Sequence, residues 1–414
     1  MSRYTLEKIF SEDNLLSYGR ACTDVAYNLS IRHFDTLLIP SRGAFPILLG
    51  AIKSLNYLSE IFDDSGEIDG FRDIYYRLYP AIPVNGWLNK YLPKEDRVKE
   101  DERRINILLA PFTADLNLKN KKINELDIIN QVRGYWSNVT RSFFLSKEER
   151  KENIYFKSYT DVILRFIEGR NELALSYENF PKAKSLVLID TVISGMASST
   201  ILNYMDYLEI EPYSILVVDS NGKKLKPQFK IDLERRQYNG DIEKVKFIYT
   251  NKIVSEDEGA ALEGIIALVY PNVMIRSREL KGTKFLFGAG SWHYPPVGDE
   301  IYSKNFGIFM EMINDAIAIN VFNNIGGKKT MDYYKKFEKS RNSFLKNMDK
   351  YNFLGLKDDS VKVFKLNKEL IIDGPYETSS HVLHVPFNKE STEKIMKQLI
   401  VNCFNMRYNR DKIY

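Results

Sequence analysis

The chain has 414 residues, of which 44% are hydrophobic, and its 59 Lys and Arg against 55 Asp and Glu leave a formal net charge of +4. These proportions are ordinary for a globular protein and point to no particular partner. No run of about 18 apolar residues could span a bilayer, and Cys22 and Cys403 are too few for a disulfide scaffold. We therefore expect a soluble, cytoplasmic protein with two or three domains, or one enlarged domain with an appendage.

The first readable element is an amphipathic helix. Apolar residues recur at spacings of 3 and 4 in Leu15, Tyr18, Cys22, Val25 and Leu29, which is the pattern of a helix with one buried face. Cys22 lies on that apolar stripe, so we interpret it as a core residue rather than a nucleophile.

A short apolar strand follows this helix and ends in a tight loop. Thr36–Ile39 reads as the strand, and the loop Ser41-Arg42-Gly43 precedes a helix over about 45–57. Gly43 can adopt backbone angles that are closed to other residues, which lets the chain approach a ligand closely. Ser41, Arg42 and the loop amides would then face an anion. A plain strand-to-helix turn with a surface arginine is the alternative.

The region from 59 to 180 gives weaker patterns. Periodicity is lost over 59–104, where we expect a charged loop region. A buried strand is predicted at 105–112, because its apolar run is short and unbroken. Helical patterns occupy about 122–146 and 158–168.

The strongest motif of the chain begins with the apolar run Leu186–Ile189, which is typical of a strand buried on both faces of a parallel sheet. The run ends at Asp190, a loop of small residues follows, and the pattern becomes helical from about Ala197. The backbone N–H groups of such a loop and helix start point at an anion. Three serine hydroxyls add further donors: Ser194, Ser198 and Ser199.

This stretch resembles the signature with which type I phosphoribosyltransferases bind phosphoribosyl pyrophosphate (PRPP). The signature has four apolar residues, one or two acids, and a Thr/Ser/Gly loop that opens a helix. Asp190 matches the first acid, whereas Thr191 stands where most members have a second acid, and Met196 and Ala197 stand where glycines are common. Without the resemblance, the stretch reads as an ordinary strand–helix unit of another doubly wound protein.

The resemblance implies a role for each matched residue. Asp190 would be the catalytic residue, because it would orient the ribose and favour the positive charge that develops on it. The phosphoribosyl group and its 5′-phosphate would be bound by Asp190, Thr191, Ser194, Gly195, Ser198 and Ser199. The pyrophosphate would be held by Ser41, Arg42 and Gly43. Mg²⁺ would bind mainly through the oxygens of the PRPP pyrophosphate, and we predict no metal ligand in the protein.

Two further strands and a group of cations follow the central helix. We predict strands at 213–218 and 245–249, with a turn at Asn221-Gly222 after the first of them. Six Lys and Arg lie between 223 and 236. Clustered cations can contact nucleic-acid phosphates, but Phe229 is the single aromatic residue among them, and base stacking normally uses several. We therefore expect an exposed charged face.

An aromatic loop stands out in the second half of the chain, where 285–296 runs from a strand through Gly-Ala-Gly into ring side chains. Trp292 and His293 could form a wall on which a base or nucleoside acceptor stacks, and His293 could exchange a proton near neutral pH. An aromatic loop packed on the domain edge explains the same residues equally well.

The composition shifts near residue 324 towards Lys, Asn and Tyr. Helical patterns follow near 330–348 and 390–405, with a strand pair between them at about 361–372 and 380–386. We therefore divide the chain into a phosphoribosyltransferase-like domain at 1–323, in which part of 59–180 is an insertion, and a C-terminal appendage at 324–414. The appendage would contact a protein partner or form a homo-oligomer.

Taken together, these patterns predict an α/β fold in which helices flank a parallel sheet and the ligand crevice lies at the carboxyl ends of its strands. By resemblance, the function would be transfer of a phosphoribosyl group from PRPP to a nitrogenous acceptor, with release of pyrophosphate. One alternative is a sensor that binds PRPP or a nucleotide without turnover, which Thr191 favours. Another is an effector of a bacterial phage-defence system, which the unusual size and the appendage favour.

Overall fold

The computed structural model describes residues 12–40, 44–62, 69–78, 105–109, 125–157, 182–251, 313–325, 327–347, 363–366, 369–372 and 384–386. The helices are α1 (Glu12–Ser30), α2 (Ala44–Phe62), α3 (Asp69–Leu78), α4 (Glu125–Ser142), α5 (Lys147–Glu152), α6 (Met196–Tyr207), α7 (Pro227–Arg235), α8 (313–325) and α9 (Lys328–Asn347). The strands are β1 (Thr36–Ile39), β2 (Asn106–Leu109), β3 (Leu186–Val192), β4 (Tyr213–Val218), β5 (Tyr238–Asn239), β6 (Ile242–Glu243), β7 (Val245–Tyr249), β8 (Val363–Leu366), β9 (Glu369–Ile372) and β10 (His384–Pro386).

A five-stranded sheet forms the centre of the fold, with its strands in the order β2-β1-β3-β4-β7. Every neighbouring pair in it is parallel. Each strand coincides with a predicted strand, and β1, β3 and β4 have the successive buried residues that strands covered on both faces need. The predicted α/β class, a parallel sheet flanked by helices, is confirmed.

One face of the sheet is covered by a layer that contains α1, α2 and α8. The five apolar residues that predicted α1 are completely buried. Glycines let the helices approach closely, since a Cβ on Gly19 would lie 2.6 Å from the backbone of Ala316 in α8, and one on Gly50 would lie 2.3 Å from Sγ of Cys22. Burial raises the pKa of the Cys22 thiol. Cys22 is therefore a core residue, as predicted.

The opposite face is covered by α4, α6 and α7. Alternate side chains of β3 point to the two layers, and those on this side belong to one apolar cluster. That cluster includes Leu188 and Val192 of β3, Trp136 of α4, and Ile201 and Met205 of α6. Val187 and Ile189 are buried on the other side of the strand. The sheet is thus enclosed between two helical layers.

Asp35 ties the start of β1 to the start of β3, although the two strands are 150 residues apart in the chain. Its carboxylate accepts hydrogen bonds from the backbone N–H groups of Lys184 at 2.8 Å and Ser185 at 3.3 Å, and from the hydroxyl of Thr36 at 2.8 Å. A one-residue slip would break these bonds and turn each side chain to the wrong face. Asp35 therefore helps to set the register of the two central strands.

Two predictions for weakly patterned regions are wrong. The stretch 59–104 was expected to lack regular structure, yet it contains the end of α2 and all of α3. The buried residues Phe71, Ile74 and Leu78 have helical spacing, and Phe71 stacks on Phe62 of α2 with ring centres 5.9 Å apart. The stretch 361–372 was expected to be one strand, but β8 and β9 form an antiparallel hairpin in it, and β10 pairs with β9.

The predicted domain boundary at residue 324 falls in the last turn of α8, which contacts the next helix, α9. The ring of Phe322 in α8 lies 6.1 Å from that of Tyr334 and 5.8 Å from that of Phe337, both in α9. The ring of Tyr57 in α2 also lies 6.0 Å from that of Phe322. The start of the predicted appendage therefore packs on the helical layer that contains α2. None of the helices in the described ranges is both long and apolar enough to cross a bilayer.

We expect Asp35→Ala to lower the free energy of unfolding by about 2 kcal/mol, because it leaves two backbone N–H groups without their charged acceptor. Urea unfolding followed by circular dichroism measures this change. The control is Asp332→Ala on α9, where the side chain is 66% exposed and lies 3.9 Å from Nζ of Lys335. This control substitution should change the free energy of unfolding by no more than about 0.5 kcal/mol. Equal costs would contradict the role given to Asp35.

Two helix glycines should respond to alanine with opposite signs. Gly19→Ala should lower stability by about 1–3 kcal/mol, because the new methyl group meets backbone atoms that cannot rotate away. Gly134→Ala should raise stability by up to about 1 kcal/mol, since alanine favours a helix and the nearest atom lies 3.9 Å away. Urea unfolding of both variants tests the pair, and a neutral Gly19→Ala would show that α1 and α8 do not pack this closely.

Candidate functional site

The two loops that were predicted to bind anions follow neighbouring strands. β1 pairs with β3 in parallel, with Thr36 opposite Leu186 and Leu38 opposite Leu188. From β1 the chain continues through α2 to β2 on one side, and from β3 it continues through α6 to β4 on the other. Right-handed crossovers place α2 and α6 on opposite faces of the sheet. The carboxyl ends of β1 and β3 therefore border a crevice of the kind in which doubly wound sheets bind ligands, and we call it the switch-point crevice.

Asp190 lies near the end of β3 on the side of α6 and is only 1% exposed. Its Oδ2 accepts a hydrogen bond from the hydroxyl of Ser198 at 2.6 Å, and its Oδ1 accepts one from the backbone N–H of Thr191 at 2.9 Å. The carboxylate thus joins the end of the strand to the first turn of α6. Because protein atoms enclose it in this conformation, its predicted contact with a ribose stays a prediction.

The loop between β3 and α6 has the geometry of an anion-binding helix start. Gly195 is the N-cap of α6 and has a φ of 82°, in the left-handed region that favours glycine. The first N–H groups of a helix have no partner within it, and the positive end of the helix dipole lies at the same place. The N–H of Met196 reaches only the hydroxyl of Ser194, at 3.4 Å. Ser194 and Thr191 are partly exposed, so this rim of the loop is accessible.

The two serines of the first turn of α6 face carboxylates. Ser198 donates to Asp190, and Ser199 donates to Oδ2 of Asp232 in α7 at 2.5 Å. Both serines are almost completely buried. Since a hydroxyl has one hydrogen to donate, a phosphate contact through either serine requires one of these bonds to change. In the present conformation the donors at the rim are the backbone amides and Ser194.

The segment before α7 is part of the site, which the sequence analysis did not recognise. The N–H of Lys226 donates to the carbonyl oxygen of Ser194 at 3.1 Å. Leu225 and Phe229 pack so closely over Gly195 that a Cβ there would lie 2.7 Å from Cδ1 of Leu225 and 3.0 Å from Cβ of Phe229. From the sequence alone, the lysines and arginines of this region were interpreted only as an exposed charged face. The spacing of these residues in the sequence did not indicate that the backbone of this segment supports the loop between β3 and α6.

The carboxyl end of β4 carries a second feature that sequence reasoning missed. Asp219 is completely buried directly after the strand, and Ser220, Asn221 and Gly222 all have positive φ values between 52° and 77°. Non-glycine residues in the left-handed region store strain, and such positions cluster at functional sites. The Asn-Gly pair predicted a turn here, and asparagine tolerates the left-handed region, but nothing in the pair predicted the left-handed Ser220 before it.

Several predicted site residues lie outside the described residues. They are the pyrophosphate loop Ser41, Arg42 and Gly43, and the acceptor wall Trp292 and His293. Ile39 of β1 and Ala44 of α2, which lie on either side of the predicted pyrophosphate loop, are described and completely buried. The pyrophosphate and acceptor roles therefore stay predictions.

The described residues also include no group of three or more His, Cys, Asp or Glu side chains that could hold a metal ion. Comparison of the chain with protein-family models, with curated proteins and with solved structures finds no match. The site is therefore interpreted from its own geometry.

Gly195→Ala should destabilise the protein by about 2–4 kcal/mol, because the methyl group is strained at positive φ and also meets Leu225. The matched control is Gly240→Ala in the β5–β6 turn, where φ is 61° but no atom lies within 4 Å. That variant should cost about 1–2 kcal/mol from backbone strain alone. Urea unfolding gives both values, and hydrogen exchange at the Lys226 amide should become faster only in Gly195→Ala. Equal costs would argue against close packing of the α7 segment on the loop.

Proposed function

We propose that the switch-point crevice binds PRPP or a related nucleoside phosphate, and that the protein transfers the phosphoribosyl group to a nitrogenous acceptor with release of pyrophosphate. The observation that carries the proposal is the parallel pairing of β1 with β3. The two loops were identified separately in the sequence, and their strands are neighbours from which the chain leaves to opposite faces. A donor with a phosphate at one end and a pyrophosphate at the other needs two such loops side by side.

The 5′-phosphate of the donor would lie at the start of α6. The amides of the first helical turn and the helix dipole favour an anion there, and Gly195 lets the backbone come close. Ser194 is the partly exposed hydroxyl of this loop. The pyrophosphate would lie at the loop Ser41-Arg42-Gly43 after β1.

Asp190 would bind the ribose of the donor through its carboxylate. A carboxylate has about four lone-pair positions, and Ser198 and Thr191 each donate one hydrogen bond to it. We propose that a ribose hydroxyl replaces the Ser198 hydroxyl when the donor binds. The carboxylate would then lie beside the anomeric carbon and stabilise its positive charge as the bond to pyrophosphate breaks.

The reaction breaks the bond from the anomeric carbon to a pyrophosphate oxygen and forms a bond from that carbon to the acceptor nitrogen, which loses a proton. Its transition state resembles an oxocarbenium ion, so positioning and anion neutralisation contribute more than a protein nucleophile. Mg²⁺ would be bound by oxygens of the donor and by water, as this ion prefers. That mode of binding requires no carboxylate cluster in the protein.

A second candidate function is a sensor that binds the same donor without turnover. Asp190 is enclosed, and Thr191 offers its N–H to it where a second acid would stand. Both facts fit a site in which the acid holds the loop in shape and performs no chemistry. Pyrophosphate release in the presence of a panel of nucleobases separates the enzyme from the sensor.

Calorimetry with PRPP and Mg²⁺ tests binding. We expect a dissociation constant in the micromolar range, or roughly −8 kcal/mol. Asp190→Asn should weaken PRPP and ribose 5-phosphate at least about tenfold, since it removes a charged acceptor of the sugar hydroxyls. It should leave inorganic pyrophosphate, which has no sugar, almost unchanged.

Two further variants separate contact with the sugar from loop positioning. Ser198→Ala keeps the carboxylate but removes its bond to α6, so an equal loss of PRPP affinity in this variant would reassign Asp190 to loop positioning. Asp206→Asn, at the other end of α6 and half exposed, should bind like the wild type. If the wild-type protein binds no nucleoside phosphate, the proposal fails, and the effector alternative is then tested by partner-dependent toxicity in the host cell.

A further inference from the structure

The first turn of α6 is attached to two carboxylates that belong to other elements. Ser198 donates to Oδ2 of Asp190 in β3 at 2.6 Å, and Ser199 donates to Oδ2 of Asp232 in α7 at 2.5 Å. Consecutive residues of an α-helix are about 100° apart around its axis, so the two carboxylates approach the turn from different sides. Among the described residues, Asp190 and Asp232 are the side chains outside the loop and α6 that form hydrogen bonds with this turn.

The attachment to Asp190 is the one that a sugar phosphate would remove. In the function proposed above, a ribose hydroxyl replaces the hydroxyl of Ser198 on the Asp190 carboxylate. The first turn of α6 would then lose its hydrogen bond to the sheet at the moment when its amides must hold the phosphate of the same ligand. A second attachment of the turn is therefore needed while the ligand is bound.

Asp232 has the contacts that a permanent attachment requires. Its partner Ser199 is 4% exposed, so the serine hydroxyl is shielded from water. Oδ1 of the same carboxylate lies 3.5 Å from Nε of Arg236, and the two terminal nitrogens of Arg236 donate to Asp206 and Asn203 in the last turn of α6. The Asp232 carboxylate is thus oriented by a cation that is itself bound to α6.

The backbone before α7 supports the same loop one step earlier in the chain. The N–H of Lys226 donates to the carbonyl oxygen of Ser194 at 3.1 Å, and Leu225 packs against Gly195. These contacts hold the loop, whereas Asp232 holds the first turn of the helix that follows it. None of these contacts uses the Asp190 carboxylate, so they can persist when a sugar occupies it.

We propose, on the basis of the function proposed above, that Asp232 is a positioning residue of this site. Through Ser199 it keeps the first turn of α6 in place while the ribose of a bound sugar phosphate occupies Asp190. Its effect therefore depends on the ligand. A sugar phosphate displaces Ser198 and needs Asp232, whereas inorganic phosphate leaves the bond between Asp190 and Ser198 intact and needs Asp232 much less.

Calorimetry with ribose 5-phosphate and with inorganic phosphate tests this role. Asp232→Ala should weaken ribose 5-phosphate about tenfold but inorganic phosphate by less than about threefold. Ser199→Ala removes the same hydrogen bond from the other side, so it should give the same result, and it replaces Asp232→Ala if that variant does not fold. Asp232→Asn keeps an acceptor oxygen for Ser199 and should retain most of the affinity.

The matched control is Glu234→Ala on the same helix, where the half-exposed carboxylate pairs with Lys230. This variant should bind both ligands like the wild type. An equal loss of ribose 5-phosphate affinity in Glu234→Ala would show that any lost charge on α7 has this effect, which overturns the proposal.

A double-mutant cycle with inorganic phosphate distinguishes positioning from a general loss of structure. Ser198→Ala has already lost the attachment to Asp190, so the further change Asp232→Ala should now weaken inorganic phosphate about tenfold. A purely structural role predicts the same loss whether Ser198 is present or absent. Equal losses in the two backgrounds would therefore contradict the positioning role.

The outcomes separate this role from the proposed function. If the wild type binds PRPP and Asp232→Ala binds ribose 5-phosphate equally well, Asp232 has no positioning role and the proposed function stands. If neither PRPP nor ribose 5-phosphate binds but inorganic phosphate does, the proposed function fails, and the double-mutant cycle alone decides the role of Asp232. If no phosphate compound binds to the wild type, both are overturned.

Discussion

The parallel pairing of β1 with β3 is the constraint on which the rest of this structure depends. It joins two segments that are 150 residues apart, and the carboxylate of Asp35 sets its register through two backbone N–H groups. Because this pair is central in the sheet, β2 and β4 can only be added on its outer sides, and their crossovers must use opposite faces. The crevice at the carboxyl ends of the pair is a direct consequence.

Many polar groups of the candidate site already form hydrogen bonds with other groups of the protein. Asp190 and Asp232 hold the hydroxyls of Ser198 and Ser199, and the N–H of Lys226 holds the carbonyl oxygen of Ser194. These bonds shape the loop before any ligand arrives, which lowers the entropy lost on binding. Under the proposed function, a sugar would have to compete with Ser198 for Asp190. The hydrogen bonds that shape the loop are thus the same ones that make the Asp190 carboxylate inaccessible in this conformation.

Sequence patterns predicted the helices and strands of this fold well in segments whose side chains are buried on every side. The apolar runs that became β1 and β3 were read correctly because strands covered on both faces leave no room for polar residues. The prediction failed where apolar and charged residues alternate irregularly. The helix α3 lies in an acidic stretch, and the helical spacing of Phe71, Ile74 and Leu78 was not recognised there.

The sequence by itself determined the class of fold, the strand–loop–helix units and the residues that enter the candidate phosphate loop. Each of these follows from contacts between residues close in the chain, and short-range periodicity records such contacts. Only the tertiary structure decided that β1 and β3, the strands that precede the two loops, are neighbours, and that Ser198 and Ser199 face carboxylates. These facts depend on which strands pair and on how helices pack across the sheet. Both are long-range choices that no local pattern records.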